Sequence, residues 1–321
     1  ITRKCAPAFA AGCSMGIKPS ELTPYSALAL AVLAERAGLP SGLLSIVTGE
    51  AKEIGPVLTA SPTVRKLSFT GSTRVGALLM EQSASTIKRL SLELGGNAPL
   101  LVFDDADLET AVAGAMGSKF RNSGQTCVCS NRILVQSGIH DRFVARITEE
   151  VAKLKVGNGL DPKNTMGPLI NDAAVSKIRA HVEDALSHGA RYASAPLSTD
   201  GRFVTPVGLE GVTSAMRVSC EETFGPVLPV FKFETEEEAV TLANSTPFGL
   251  ASYFFTTDVS RAWRVGEALD FGMVGLNTGS VSMESAPFGG IKQSGLGREG
   301  GHPGIDAFLA LKTVQIAGRQ L

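Results

Sequence analysis

Asn122-Ser123-Gly124-Gln125-Thr126-Cys127-Val128-Cys129 sets a thiol among small, polar, turn-forming residues that do not build a core. A cysteine reacts as its thiolate and needs a polar site open to reactants, which this stretch supplies. Upstream by 34 residues (127 − 93), Leu92-Glu93-Leu94-Gly95-Gly96-Asn97 closes a β-rich run with a carboxylate followed at once by paired glycines. A candidate base therefore stands at a strand end. One turn thus offers a candidate nucleophile and the other a candidate base.

The pattern around these turns is α/β. Residues 1–94 alternate, with helices expected near 2–11, from Pro24 to Ala37, near 50–60 and near 73–84, and strands near 13–18, 43–47, 64–70 and 88–94. Thr23 is the expected N-cap of the second helix, and Gly38 lies just past its end. Such alternation predicts a parallel sheet with crossover helices, and ligands lie beyond the carboxyl ends of such strands. Lys18, Gly71 and Glu93 fall at strand ends of that kind, on one edge of one sheet. From Ala98 a second α/β run begins, with strands near 99–103, 132–136, 227–233, 250–256 and 272–276, and helices near 108–121, 139–154, 171–188, 235–245 and 258–268. Glu236, Glu237 and Glu238 open one of those helices, where the macrodipole favours acids, so the run needs no functional account. The segment from Pro287 to Gly301 is too glycine-rich for a helix or strand interior and is expected to be loop.

Length and composition narrow the function classes. The 321 residues are enough for two domains of roughly 150 residues each. A net charge of −1, from scattered basic and acidic residues, offers no electrostatic footprint for nucleic acid or an anionic membrane. No apolar run reaches the roughly 18 residues that a bilayer span requires. Small molecules are the expected partners. Cys5, Cys13, Cys127, Cys129 and Cys220 are odd in number and lack a Cys-x-x-Cys pair, which favours a reducing compartment and a cytoplasmic location. His140, His181, His188 and His302 are dispersed without metal-ligand spacing, so surface or capping roles and no metal are expected. Arg3-Lys4 before the small apolar stretch Cys5 to Ile17 mimics a secretory signal, but Lys18-Pro19 and the next helix continue the pattern unbroken. The chain is expected to begin mid-domain.

The Gln125-Thr126-Cys127 turn and the Glu93-Leu94-Gly95-Gly96 turn resemble the nucleophile and general-base segments of the NAD(P)-dependent aldehyde dehydrogenase superfamily, and the resemblance runs the length of the chain. It implies an aldehyde dehydrogenase-like fold. Residues 1–94 would be the C-terminal part of a truncated, Rossmann-type NAD(P)-binding domain, 95–305 an α/β catalytic domain, and 306–321 an oligomerisation tail whose Lys312–Ile316 strand pairs with a neighbouring subunit of a homo-oligomer. Gly71-Ser72-Thr73-Arg74-Val75-Gly76 follows a strand and opens a helix, which suits a pyrophosphate. By similarity, Lys18 and Glu21 of Lys18-Pro19-Ser20-Glu21 would hold the adenosine ribose, Ser72 the pyrophosphate, and Glu222 with Phe224 the nicotinamide ribose. NAD is the expected cofactor and NADP is admitted; Glu21 would face a 2′-phosphate with like charge.

The mechanism so implied is attack by Cys127 on an aldehyde, hydride transfer, and hydrolysis of the thioester by water that Glu93 deprotonates. Within the superfamily the chain is most similar to the succinate-semialdehyde dehydrogenases. Arg3, Arg121 and Ser282 match the residues that grip the distal carboxylate in that subgroup, and Cys129 matches its second cysteine, a candidate redox switch. The side-chain oxyanion donor of the superfamily, an Asn eight residues before the position of Arg3, has no counterpart in this sequence. Two other classes are carried alongside: a catalytically silent fragment or binding protein that keeps the fold, and a thiol redox sensor using Cys127 and Cys129. A thiol-protease reading lacks a histidine in a comparable motif.

Overall fold

The computed structural model describes residues 1–318; Arg319, Gln320 and Leu321, the end of the expected tail, lie outside the described residues. The first 94 residues form helices Thr2–Ala10, Tyr25–Arg36, Ala51–Ala60 and Thr73–Ser83, alternating with strands Met15–Ile17, Leu44–Ile46, Lys66–Thr70 and Arg89–Glu93. Each element stands where the alternation predicts it, but the single sheet does not form. Met15–Ile17 and Leu44–Ile46 pair as a separate parallel ribbon, while Lys66–Thr70 pairs with Arg89–Glu93. Strands of three residues, half-exposed, bury too little to extend the ladder. Lys18 therefore ends one sheet, and Gly71 and Glu93 the other. The N-cap of Tyr25–Arg36 is Pro24, not Thr23: with φ −78° it is already helical, and its carbonyl accepts the Ala27 and Leu28 N–H groups.

The glycine-rich segment is not all loop. Ile291–Lys292 and Gly295–Leu296 are short strands, and Gly295–Leu296 lies antiparallel against Leu92–Glu93. Gly295 has φ +137°, and a Cβ there would stand 1.8 Å from the Leu92 carbonyl oxygen. Its lack of a side chain serves backbone approach and not flexibility, which composition alone does not distinguish.

From Ala98 onward a seven-stranded sheet runs in the order Met273–Leu276, Ala251–Phe255, Ala98–Val102, Ser130–Gln136, Val227–Phe233, Val207–Glu210, Arg191–Tyr192, parallel except for the last strand. Alternate residues feed two cores. Leu100, Val102, Ile133, Val135, Tyr253 and Phe255 face one with Phe143 and Ile147, whereas Leu101, Leu134, Phe231, Phe233 and Phe254 face the other with Ile178 and Val182. Helices on both faces leave these strands with no polar side, hence their near-continuous apolar runs. The short strands Val207–Glu210 and Arg191–Tyr192 fall below what periodicity detects.

One further expectation changes. His181 is wholly buried, not on the surface, because helix Asp172–Ser187 turns it toward the segment 217–224. Residues 312–316 form no strand within the chain, and Val314 and Ile316 are exposed. No helix of the described residues is long and apolar enough to cross a membrane.

Candidate active site

The chain leaves Glu93 at the carboxyl end of the small sheet and enters the large sheet at Ala98, its amino edge. Cys127 precedes the amino end of Ser130–Gln136, and Glu222 the amino end of Val227–Phe233. Glu93, Cys127 and Glu222 thus gather in the seam between two sheets.

Helix Leu108–Phe120 begins under an Asp107 cap, whose carboxylate accepts the Thr110 N–H at 2.8 Å, and its end is abrupt. Asn122, Ser123 and Gly124 follow with φ of 52°, 57° and 74°, a left-handed turn that throws the chain back toward the sheet. Such backbone costs a non-glycine residue of order 1–3 kcal/mol and persists only where its surroundings over-determine it. Here they do. The Asn122 amide donates to the Gln125 carbonyl at 3.0 Å, Ser123 Oγ to the Gly167 carbonyl at 2.9 Å, and the Ile170 N–H to Gln125 Oε1 at 2.9 Å. Cys127 emerges half-buried. Cys129 is sealed, its thiol donating to the Lys119 carbonyl at 3.4 Å, and the buried Lys119 amine donates to Asn131 Oδ1 at 3.1 Å.

Glu93 is buried at 4% exposure, and its Oε2 has no hydrogen-bond partner among the described residues. Burial first, then the negative charge of Glu299, pushes its carboxyl up to about 8. Glu299 itself is ion-paired to Lys4, whose amine also donates to Ser68 Oγ at 3.0 Å. Burial, followed by the negative charges of Glu93 and Glu222, pushes the Cys127 thiol up to about 11. Burial thus favours the protonated form of each group. Glu93 is then a carboxyl poised to titrate near neutrality, as a general base requires.

The glycines between them show how close the segments come. A Cβ on Gly96 would stand 2.5 Å from the Cys127 carbonyl oxygen, and one on Gly95 would stand 3.0 Å from Glu222 Oε2. The Gly96 N–H donates to Glu222 Oε1 at 2.9 Å. Base turn, nucleophile turn and the Glu222 segment therefore meet at Gly95 and Gly96, and at Gly96 the Cys127 backbone leaves no room for a side chain. Supports that the sequence did not single out hold this junction. Ser294 Oγ donates to the Gly95 carbonyl at 2.7 Å, Tyr253 Oη to the Val128 carbonyl at 2.7 Å, and the buried Arg132 to the carbonyls of Asn97, Leu242 and Ala243. Lys4 and Glu299 were missed likewise; the available signal was a charged residue beside each recognised motif.

Of the cofactor candidates, Lys18 donates to Glu21 Oε1 at 2.8 Å, and that oxygen also accepts the Ala51 N–H at 2.9 Å. The lysine bond, above all, lowers the Glu21 carboxyl to about 2. Pro19 gives its carbonyl to the same amine, and Ser20 Oγ accepts the Leu22 N–H. Gly71 donates its N–H to the Glu93 carbonyl at 3.0 Å, Ser72 caps helix Thr73–Ser83, and a Cβ on Gly76 would meet the Leu94 side chain at 2.5 Å. The Gly71–Gly76 turn thus packs on the base turn, while the Lys18–Glu21 pair stands apart on the ribbon. Phe224 has φ +54°. A helix N-terminus with an N-cap serine, two carboxylates and an ammonium are groups whose chemistry suits a dinucleotide's pyrophosphate and ribose hydroxyls.

Of the carboxylate candidates, Arg3 donates to Ser282 Oγ and lies 4.2 Å over the Phe288 ring. Arg121 is exposed and bonded to neither. The structure brings two of the three together.

Comparison with known proteins bears on the chain as a whole. The sequence model described as the aldehyde dehydrogenase family matches residues 1–314. The glutarate-semialdehyde dehydrogenase of Pseudomonas putida is 57% identical over 317 residues, covering 99% of this chain and 66% of that protein. The NADP(+) succinate-semialdehyde dehydrogenase of Escherichia coli K12 is 56% identical over 314 residues, covering 97% of this chain and 65% of that protein. The crystal structure of an aldehyde dehydrogenase from Brucella melitensis biovar abortus 2308 superposes with a TM-score of 0.95 at 60% identity, over 96% of this chain and 64% of that one. The chain thus spans a little under two thirds of the length of the relatives it matches.

Proposed function

The chain belongs to the aldehyde dehydrogenase family, and on that premise we propose that the protein it belongs to oxidises a carboxylate-bearing aldehyde, of the succinate-semialdehyde class, to the acid with NAD or NADP. The carrying observation is the junction at Gly95 and Gly96, where Glu93, Cys127 and Glu222 come together.

Cys127 Sγ adds to the aldehyde carbon, forming a C–S bond, while its proton passes to a base. The adduct carbon then gives up its hydrogen as hydride while its C=O re-forms, leaving Cys127 as a thioester; a nicotinamide, when bound, would supply the acceptor. Glu93 takes a proton from water, the hydroxide adds to the thioester carbon, and the C–S bond breaks to return the thiolate and release the acid. Ser72 and the first turn of Thr73–Ser83 would hold the pyrophosphate, Lys18 and Glu21 one ribose, and Glu222 with Phe224 the other. Arg3 and Ser282, with Arg121 at the approach, hold the distal carboxylate; an uncharged aldehyde leaves those guanidinium groups without a counterion. The two relatives named above act on semialdehydes of different length, so chain length of the acid is the open variable. We place the division between cofactor-binding and catalytic parts near residue 94, and the subunit contact at the tail. Five free cysteines suit a reducing compartment such as the cytoplasm.

The test is Cys127→Ala in the full-length protein. Loss of NADH formation from succinate semialdehyde with retained cofactor binding supports the assignment, and normal turnover would sink it.

A further inference from the structure

Helix Asp172–Ser187 bears no residue of the candidate site, yet Lys177, Ile178, His181 and Asp184 all meet the Arg217–Gly225 segment. Lys177 donates to the Glu222 carbonyl. Ile178 packs so closely that a Cβ on Gly225 would stand 2.1 Å from its Cδ1, and a Cβ on Gly124 would in turn stand 2.3 Å from the Gly225 carbonyl oxygen. Helix, Glu222 segment and nucleophile turn are thus stacked without slack.

His181, one helical turn beyond Lys177, is buried at 0% exposure. Its Nε2 lies 3.1 Å from Glu221 Oε2 and its Nδ1 3.3 Å from Thr223 Oγ1. Glu221 also takes both prongs of Arg217 at 2.9 and 3.0 Å, and Asp184 on the same helix accepts the Arg217 N–H at 2.7 Å. A carboxylate only accepts, so Nε2 carries the proton and Nδ1 accepts from the Thr223 hydroxyl. Burial lowers the imidazole below its ordinary range, which agrees with this neutral tautomer. Glu221 and Thr223 flank Glu222, and Phe224 follows with a left-handed φ of 54°. A bulky residue holds that backbone only under constraint.

We propose that His181 is the positioning residue that locks the Glu221–Gly225 loop, presenting the Glu222 carboxylate and the Phe224 ring to the nicotinamide end of a dinucleotide. This rests on the cofactor reading of that loop given above. The imidazole bridges the residues on either side of Glu222, so neither can rotate without breaking a buried hydrogen bond.

The experiment titrates NAD+ into the full-length protein by calorimetry, for wild type, Glu222→Gln, His181→Phe and His181→Gln. His181→Phe fills the ring volume and removes both bonds, and Kd for NAD+ should rise roughly tenfold. The KM for aldehyde at saturating cofactor should stay within about twofold, because the carboxylate grip is elsewhere. His181→Gln keeps a donor toward Glu221 and should recover most of the affinity. Wild-type NAD+ affinity in His181→Phe, with affinity lost in Glu222→Gln, overturns the proposal and leaves the loop reading intact. Unchanged affinity in Glu222→Gln removes the loop reading itself, and the proposal with it. Should His181→Phe not fold, Thr223→Val deletes the hydroxyl that Nδ1 accepts from, and wild-type affinity there would overturn the lock equally.

Discussion

Glu93 carries the sharpest expectation at the scale of single residues. With its carboxyl raised to about 8 by burial and by Glu299, the hydrolytic step should accelerate as pH rises through about 8, when the base ionises. Glu93→Gln should release one equivalent of NADH in a burst and then stall, with no such pH limb; an unaffected steady state rejects Glu93 as base. The same shift bears on stability. The folded state binds the Glu93 proton up to about 8 and the unfolded chain only to its ordinary 4.5, so this group's contribution declines as pH rises between them. Glu93→Gln should flatten that decline in urea titrations. Arg121→Leu should raise KM for succinate semialdehyde by the equivalent of about 1.5–3 kcal/mol and leave an uncharged aldehyde nearly untouched. Equal losses on both substrates count against a carboxylate role. These residues were legible because each sits in a short motif whose composition is odd for a core. Lys4, Glu299, Arg132 and His181 were not, since their partners are 35 to 295 residues away in sequence.

Among the elements, helices and central strands were legible from periodicity and from their Gly and Pro boundaries, and the failures have two causes. Short strands such as Val207–Glu210 and Arg191–Tyr192 carry little periodic signal, whereas Met15–Ile17 and Leu44–Ile46 stood out through the helices that alternate with them; and a glycine-rich stretch looks the same whether it is loose or pressed against another backbone. Gly295 decides that second case. Gly295→Ala puts a methyl group on the Leu92 carbonyl, which cannot move aside within its ladder. The expected loss is about 1–3 kcal/mol from backbone strain alone, with the Glu93 strand displaced. Chemical denaturation measures the first and the NADH burst the second; a variant with wild-type stability would mean that the segment is slack after all. Gly117 makes a control, since a Cβ there meets nothing within 4 Å.

At the scale of the whole molecule, two surfaces remain uncovered. Tyr25, Val32, Leu33, Val57, Leu78 and Met80 are exposed on the helices of the first 94 residues, and Leu311, Val314 and Ile316 on the tail. Apolar faces of this kind suit contact with a further chain or segment. Val314→Asp with Ile316→Asp should lower the mass measured by light scattering if the tail joins subunits; an unchanged mass assigns assembly elsewhere. The alternation of elements foretold two α/β parts but not how they are fastened together. The chain passes from the small sheet to the large one through residues 94–97, and returns at Gly295–Leu296 to pair with the strand that carries the base. The Leu94 N–H also donates to the Ser294 carbonyl at 2.9 Å. That return sets an order of events during folding. Lys66–Thr70 and Arg89–Glu93 can pair early and locally, but the edge that encloses Glu93 must wait for a contact spanning about 200 residues, which is slow to close. The carboxyl therefore loses its water only when the chain through Glu299 has found its place, and a chain arrested before then would hold an ordinary surface acid where the finished protein holds a buried carboxyl.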